Sequence, residues 1–211
     1  MVIKRTYLIA LFAVVILATC STKSKKTTNE GEETSALSDS TKQEEPSYFH
    51  KTLTLQNISF DINASGEGSL SQLTIRTSGL EEEQPDIVLQ TEPVVNAEIG
   101  DLNSDGFPEV LIYTTSAGSG SYGNVIGYSA NKGKSVSQIN FPDITENAEA
   151  SDGYMGHDEF ALVGTALVRK FPIYKKEDSN SNPTGGTRQV EYKLKDGEAS
   201  RLFVIDKISK K

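Results

Sequence analysis

Between residues 51 and 205 the apolar residues come in short runs, mostly at every second position, and long amphipathic helices are absent. Leu53 and Leu55 alternate with threonines, Ile58, Phe60 and Ile62 with polar residues, and Leu73 and Ile75 with Thr74 and Arg76. Successive side chains of a strand point to opposite faces, so this period marks strands with one buried face. Further runs follow at 87–89, 94–99, 110–113, 125–128, 136–141, 160–163, 167–174, 190–194 and 202–205. Turn-forming clusters separate them, among them Ala64-Ser65-Gly66, Asn131-Lys132-Gly133, Asn182 to Gly186 and Asp196-Gly197. The pattern predicts an all-β fold, an antiparallel β-sandwich of short strands. A helical turn or two is expected only over 142–150, with Pro142 in its first turn. Pro172 marks its run as an edge strand or a bulge, and 167–174 and 190–194 are expected to pair.

The first 48 residues differ. Lys4 and Arg5 precede an apolar run from Tyr7 to Ala18, twelve residues where a bilayer span needs about 20. A basic start and a short apolar core read as a signal peptide over 1–20. Residues 21–48 hold only Ala36, Leu37 and Tyr48 as apolar side chains and read as a disordered polar and acidic tether. Residues 49–211 form the domain. It carries 15 Lys and Arg against 23 Asp and Glu, the whole net charge of −8. An acidic domain without clustered basic residues is excluded as a nucleic-acid binder. One Cys and two His exclude a disulfide framework and cysteine-based metal clusters.

Asp101-Leu102-Asn103-Ser104-Asp105-Gly106-Phe107-Pro108-Glu109 spaces acceptor oxygens at alternate positions around a glycine turn. Asp101, Asn103, Asp105, the Phe107 carbonyl and Glu109 could hold a structural calcium ion. The motif looks like the strand–loop–strand calcium loops of integrin-type propeller repeats, but it occurs once, and Ile112 stands where an EF-hand has its bidentate Glu. The alternative is a turn whose Asp and Asn side chains accept from their own backbone. No other cofactor is implied.

Ser116-Ala117-Gly118-Ser119-Gly120-Ser121-Tyr122-Gly123 joins two strand runs and is too long for a tight hairpin. It should protrude, with Tyr122 finding little to pack against in its own domain and acting as an interface anchor. A phosphate cradle lacks the helix start and Lys that such loops need. A Ser119 nucleophile would have to draw on His157, which stands in Gly153-Tyr154-Met155-Gly156-His157-Asp158-Glu159-Phe160. That segment reads otherwise as a connecting loop with His157 hydrogen-bonded locally.

Leu17-Ala18-Thr19-Cys20 resembles a bacterial lipobox, with Thr19 where a smaller residue is usual. The resemblance implies acylation of Cys20 and, with Ser21 following, a periplasmic lipoprotein anchored at the outer membrane. An ordinary signal peptide with an incidental Cys is the alternative. Three ordered segments resemble a second family: the 116–123 loop, the stretch from Gly153 to Phe160 continued by Arg169 to Tyr174, and Pro183-Thr184-Gly185-Gly186-Thr187-Arg188. They are similar to the bacterial periplasmic inhibitors of invertebrate-type lysozyme, over most of residues 50–206. The resemblance implies a β-sandwich, often a homodimer, with no catalytic residue of its own. It implies a loop that enters the substrate cleft of lysozyme, with Ser119, Gly120 and Tyr122 at the contact. The competing function is a calcium-stabilised adhesion or carbohydrate-binding module of the cell envelope. An envelope hydrolase using Ser119 and His157 is a third.

Overall fold

The computed structural model describes residues 47–211. The signal peptide, Cys20 and the tether up to residue 46 lie outside the described residues. The strands are β1 (Ser47–Leu55), β2 (Ile58–Ser65), β3 (Ser71–Ser78), β4 (Ile87–Thr91), β5 (Val94–Gly100) and β6 (Glu109–Thr115). They continue as β7 (Gly123–Asn131), β8 (Ser135–Ile139), β9 (Glu159–Val163), β10 (Ala166–Pro172), β11 (Thr187–Asp196) and β12 (Arg201–Lys210). Each of the twelve apolar runs lies in or overlaps one of these strands. Tyr48, expected as the last tether residue, belongs to β1. Its hydroxyl donates to Ser71 Oγ at 2.7 Å and accepts the Val94 N–H at 2.9 Å.

The fold is all-β, and the twelve strands form three four-stranded antiparallel sheets: β1-β2-β3-β4, β5-β6-β7-β8 and β12-β11-β10-β9. A sandwich of two sheets becomes one of three layers. The middle sheet is the reason. Along β6, Val110 and Ile112 point into a core shared with Phe60, Ile62, Leu73 and Ile75 of the first sheet. Leu111 and Tyr113, on the opposite face, enter a second core with Leu167, Val190, Tyr192 and Phe203 of the third. A strand covered on both faces reads as a near-continuous apolar run, and residues 110–113 are Val-Leu-Ile-Tyr. Each fully buried Leu, Ile or Phe in these cores contributes about 1.5–3 kcal/mol relative to exposure.

The second and third sheets also meet at both edges. Leu162 of β9 donates its N–H to Glu98 of β5 at 2.9 Å. Asn140, just after β8, exchanges two backbone hydrogen bonds of 2.9 Å with Arg201 and Phe203 of β12. At the β1–β2 turn, Gln56 and Asn57 both take positive φ, as a two-residue hairpin of this twist requires.

Two local expectations change. Pro172 is not on an edge strand: β10 lies between β9 and β11. It is the last residue of β10, paired with Thr187 and two residues beyond the last partner on β9, so its missing N–H breaks no ladder. The helical segment is shorter and later than 142–150. A 3₁₀ turn spans Ile144–Glu146 and one α-helical turn, α1, spans Ala148–Ser151. Asp143 caps the first, which leaves Pro142 outside the helical turns. β10 and β11 pair as expected, joined by the long 173–186 connection.

Candidate functional site: a braced serine-tyrosine loop

The 116–122 loop rises from the ends of β6 and β7, where Thr115 faces Gly123. Its neck closes on itself. Ser116 donates its N–H to the Tyr122 carbonyl at 2.8 Å, and Ser116 Oγ accepts the Tyr122 N–H at 2.9 Å. The tip is a tight turn, with the Ser121 N–H on the Gly118 carbonyl at 2.9 Å. Ala117, Gly118 and Ser119 are exposed. Tyr122 is 47% exposed.

Tyr122 has more support than its sequence suggests. Its ring meets Tyr154 edge-on at 5.7 Å and lies over Gly120, where a Cβ would run into it. Gly120 is therefore required by the ring, as well as by the close approach behind it. There its carbonyl accepts the His157 N–H at 2.7 Å. Gly156 has φ +89° and a missing Cβ that would collide with this carbonyl, so glycine is needed on both sides of the contact.

Two further contacts come from one distant segment. Asn180, on the 173–186 connection, donates Nδ2 to the Ser119 carbonyl at 2.7 Å. Its Oδ1 lies 3.2 Å from His157 Nε2. With Nδ2 committed as a donor, Oδ1 is an acceptor, and His157 Nε2 carries the hydrogen. His157 thus bonds far along the chain, not locally, and its imidazole is directed at Asn180.

Beneath the neck, Asp158 accepts from three groups. Its Oδ2 takes the Gly123 N–H at 2.8 Å and the Tyr154 hydroxyl at 2.7 Å, and its Oδ1 takes Arg169 Nε at 2.6 Å. Arg169 Nη2 also donates to the Tyr154 oxygen at 2.6 Å. The side chains of Arg169 and Asp158 are 4% and 0% exposed. Arg169 further lies over the rings of Tyr154 and Phe160. Burial, and after it the neighbouring Asp158, raises the Tyr154 phenol above its ordinary range, so it stays protonated and available as a donor.

The 101–109 loop stands apart from this cluster. Asp101 accepts the N–H groups of Asp105 and Gly106 at 3.1 and 3.0 Å, Asn103 Oδ1 accepts that of Asp105, and Asp105 Oδ1 that of Phe107. Glu109 is fully buried and accepts from Leu102 N at 2.8 Å and Ser129 Oγ at 2.7 Å. Arg201 reaches Asp105 at 2.5 Å and Glu109 at 3.6 Å. The side-chain oxygens at positions one, three, five and nine hold the loop's own backbone, and the cation beside them is Arg201. Among the described residues no group of three or more His, Cys, Asp and Glu is disposed to hold a metal ion.

The structure thus brings Ser119, Gly120 and Tyr122 together on one exposed tip and leaves the 101–109 residues elsewhere. Sequence reasoning missed Asn180, Asp158 and Arg169 as supports of the tip. Only the glycines at 153 and 156 signalled that this segment approaches another backbone. A scan against family models, a search of curated proteins and a search of solved structures each found no match for this chain.

Proposed function

We propose that this chain is a protein inhibitor of lysozyme, with the invertebrate type as its first target. The reading includes residence in the bacterial envelope, on the periplasmic side, through an acyl chain on Cys20. One observation carries it best: a half-exposed Tyr122 and an exposed Ser119 share a narrow tip that two separate segments, 154–158 and the 173–186 connection, hold in place. A tip braced in this way loses little conformational freedom on docking, which favours affinity. Lysozymes cleave with two carboxyl groups flanking the sugar bond. The Ser119 hydroxyl makes no hydrogen bond within the described residues and is free to meet one of them. The Tyr122 ring can fill a sugar subsite. The inhibitor performs no chemistry and excludes substrate by occupancy. The charge of −8 steers the domain towards a basic partner.

The test is clearing of a bacterial wall suspension by invertebrate-, chicken- and goose-type lysozymes, with and without a soluble form beginning at Ser21. Selective loss of invertebrate-type activity near stoichiometric inhibitor is the expected result. Undiminished clearing by all three overturns the reading.

A further inference from the structure

Beside Tyr122 lies a cleft of about 520 Å³. Its lining includes the aromatic side chains of Tyr122, Phe141 and Tyr154 and the carboxylates of Glu92 and Asp143. Arg169 also reaches the cleft, but Asp158 meets its charge at 2.6 Å. Neither Glu92 nor Asp143 forms an ion pair among the described residues, although the charge of Arg169 reaches Asp143 and lowers its pKa after the bonds from Thr145. Asp143 commits Oδ1 to the N–H and hydroxyl of Thr145, at 2.8 and 2.7 Å, and leaves Oδ2 without a hydrogen bond. Glu92, on the β4–β5 connection, makes neither a hydrogen bond nor an ion pair among the described residues.

Aromatic side chains beside carboxylates that form no ion pair suit a flat cation. A guanidinium stacks on ring faces and donates in a fixed fork to carboxylate oxygens, and an ammonium does so less well. We infer that this cleft receives an arginine side chain of the docked protein, alongside the Ser119–Tyr122 tip. The inference rests on the reading of that tip as a docking element, and it names the chemistry of the partner's surface beside the occluded cleft. Glu92 and Asp143 are its binding residues, and the aromatic side chains supply the apolar walls.

The test uses acetyl-arginine-amide as probe and acetyl-citrulline-amide as its uncharged match, titrated into the protein from Ser21 on and followed by NMR. Saturable shifts at Tyr122, Phe141 and Tyr154 with the arginine probe alone are expected. The double variant Glu92→Gln, Asp143→Asn keeps the Thr145 cap and should weaken the probe about tenfold, as loss of a paired guanidinium contact implies. Equal shifts with citrulline, no saturation with arginine, or an unaltered double variant overturns the inference. In the clearing assay the same double variant should lose potency. A Glu82→Gln, Glu83→Gln control removes equal charge on the β3–β4 connection and should lose much less. Equal loss in the two would assign the effect to overall charge and overturn the inference. A wild type that inhibits no lysozyme refutes the reading of the tip, and the arginine titration still judges the cleft on its own.

Discussion

The Gly120 carbonyl oxygen accepts the His157 N–H at 2.7 Å, and the glycine at 156 is what lets the two backbones come this close. Gly156→Ala places a methyl group against that oxygen on a backbone with φ +89°. The expected cost is about 1–3 kcal/mol of stability. Inhibition should fall further than the lowered melting temperature explains, because the tip must shift. Unchanged inhibition in a folded variant would show that the His157 contact does not position the tip.

Ser119→Ala and Tyr122→Ala should leave the melting temperature close to wild type. The first removes a hydroxyl that bonds to nothing in the domain, and the second a half-exposed ring with one aromatic neighbour. Potency is where they differ from wild type. Tyr122→Ala should cost about 2 kcal/mol, roughly thirtyfold, as anchor residues do. Full potency in the double variant would remove the tip from the mechanism.

Asp158→Ala strips the partner from a guanidinium that is 4% exposed, and it frees the Gly123 N–H. Leaving one charge of a buried pair alone costs about 3–5 kcal/mol. Urea denaturation checks this directly. A loss below about 1 kcal/mol, the scale of an exposed pair, would mean that water reaches Arg169 in the variant.

Glu109 gives a pH dependence of opposite sign to the usual carboxylate. Burial raises its pKa from the ordinary 4.5, against the lowering effects of Leu102, Ser129 and Arg201. The folded state therefore favours the protonated acid relative to the unfolded chain. Its contribution is full below pH 4.5 and is lost as pH climbs through the raised value. Denaturant midpoints measured across this range should show wild type losing ground to Glu109→Gln as pH rises. A gain instead would mean that attraction to Arg201 outweighs burial.

Calcium bears on the 101–109 loop. With Arg201 2.5 Å from Asp105 and the loop oxygens accepting backbone N–H groups, calcium added after chelation should leave the melting temperature unmoved. A rise would show that the loop exchanges Arg201 for the ion. Arg201→Ala should then be the variant that responds to calcium most.

Strands were legible because each buried face writes itself locally, as in Ile58, Phe60 and Ile62. The three-layer arrangement was not. Residues 110–113 show that a strand is covered twice, but an apolar run does not say which sheets cover it. The tip was legible by composition, since three glycines and three serines in 116–123 leave little else to build with. Its supports were hidden, because Asn180, Asp158 and Arg169 lie on a loop, a connection and a strand that only the fold brings together. Arg169 reads in sequence as one more strand cation, and its burial depends on an aspartate from another element.

The double covering of β6 has an evolutionary consequence. The loop is rooted in the strand that both cores constrain, while residues 117–119 at its tip are exposed. Substitutions there can retune which partner is accepted without reaching either core. Ser119, whose hydroxyl the proposed docking uses, falls outside that freedom with Gly120 and Gly156, so variation among descendants of this chain should be wide at 117–118 and narrow at those three positions.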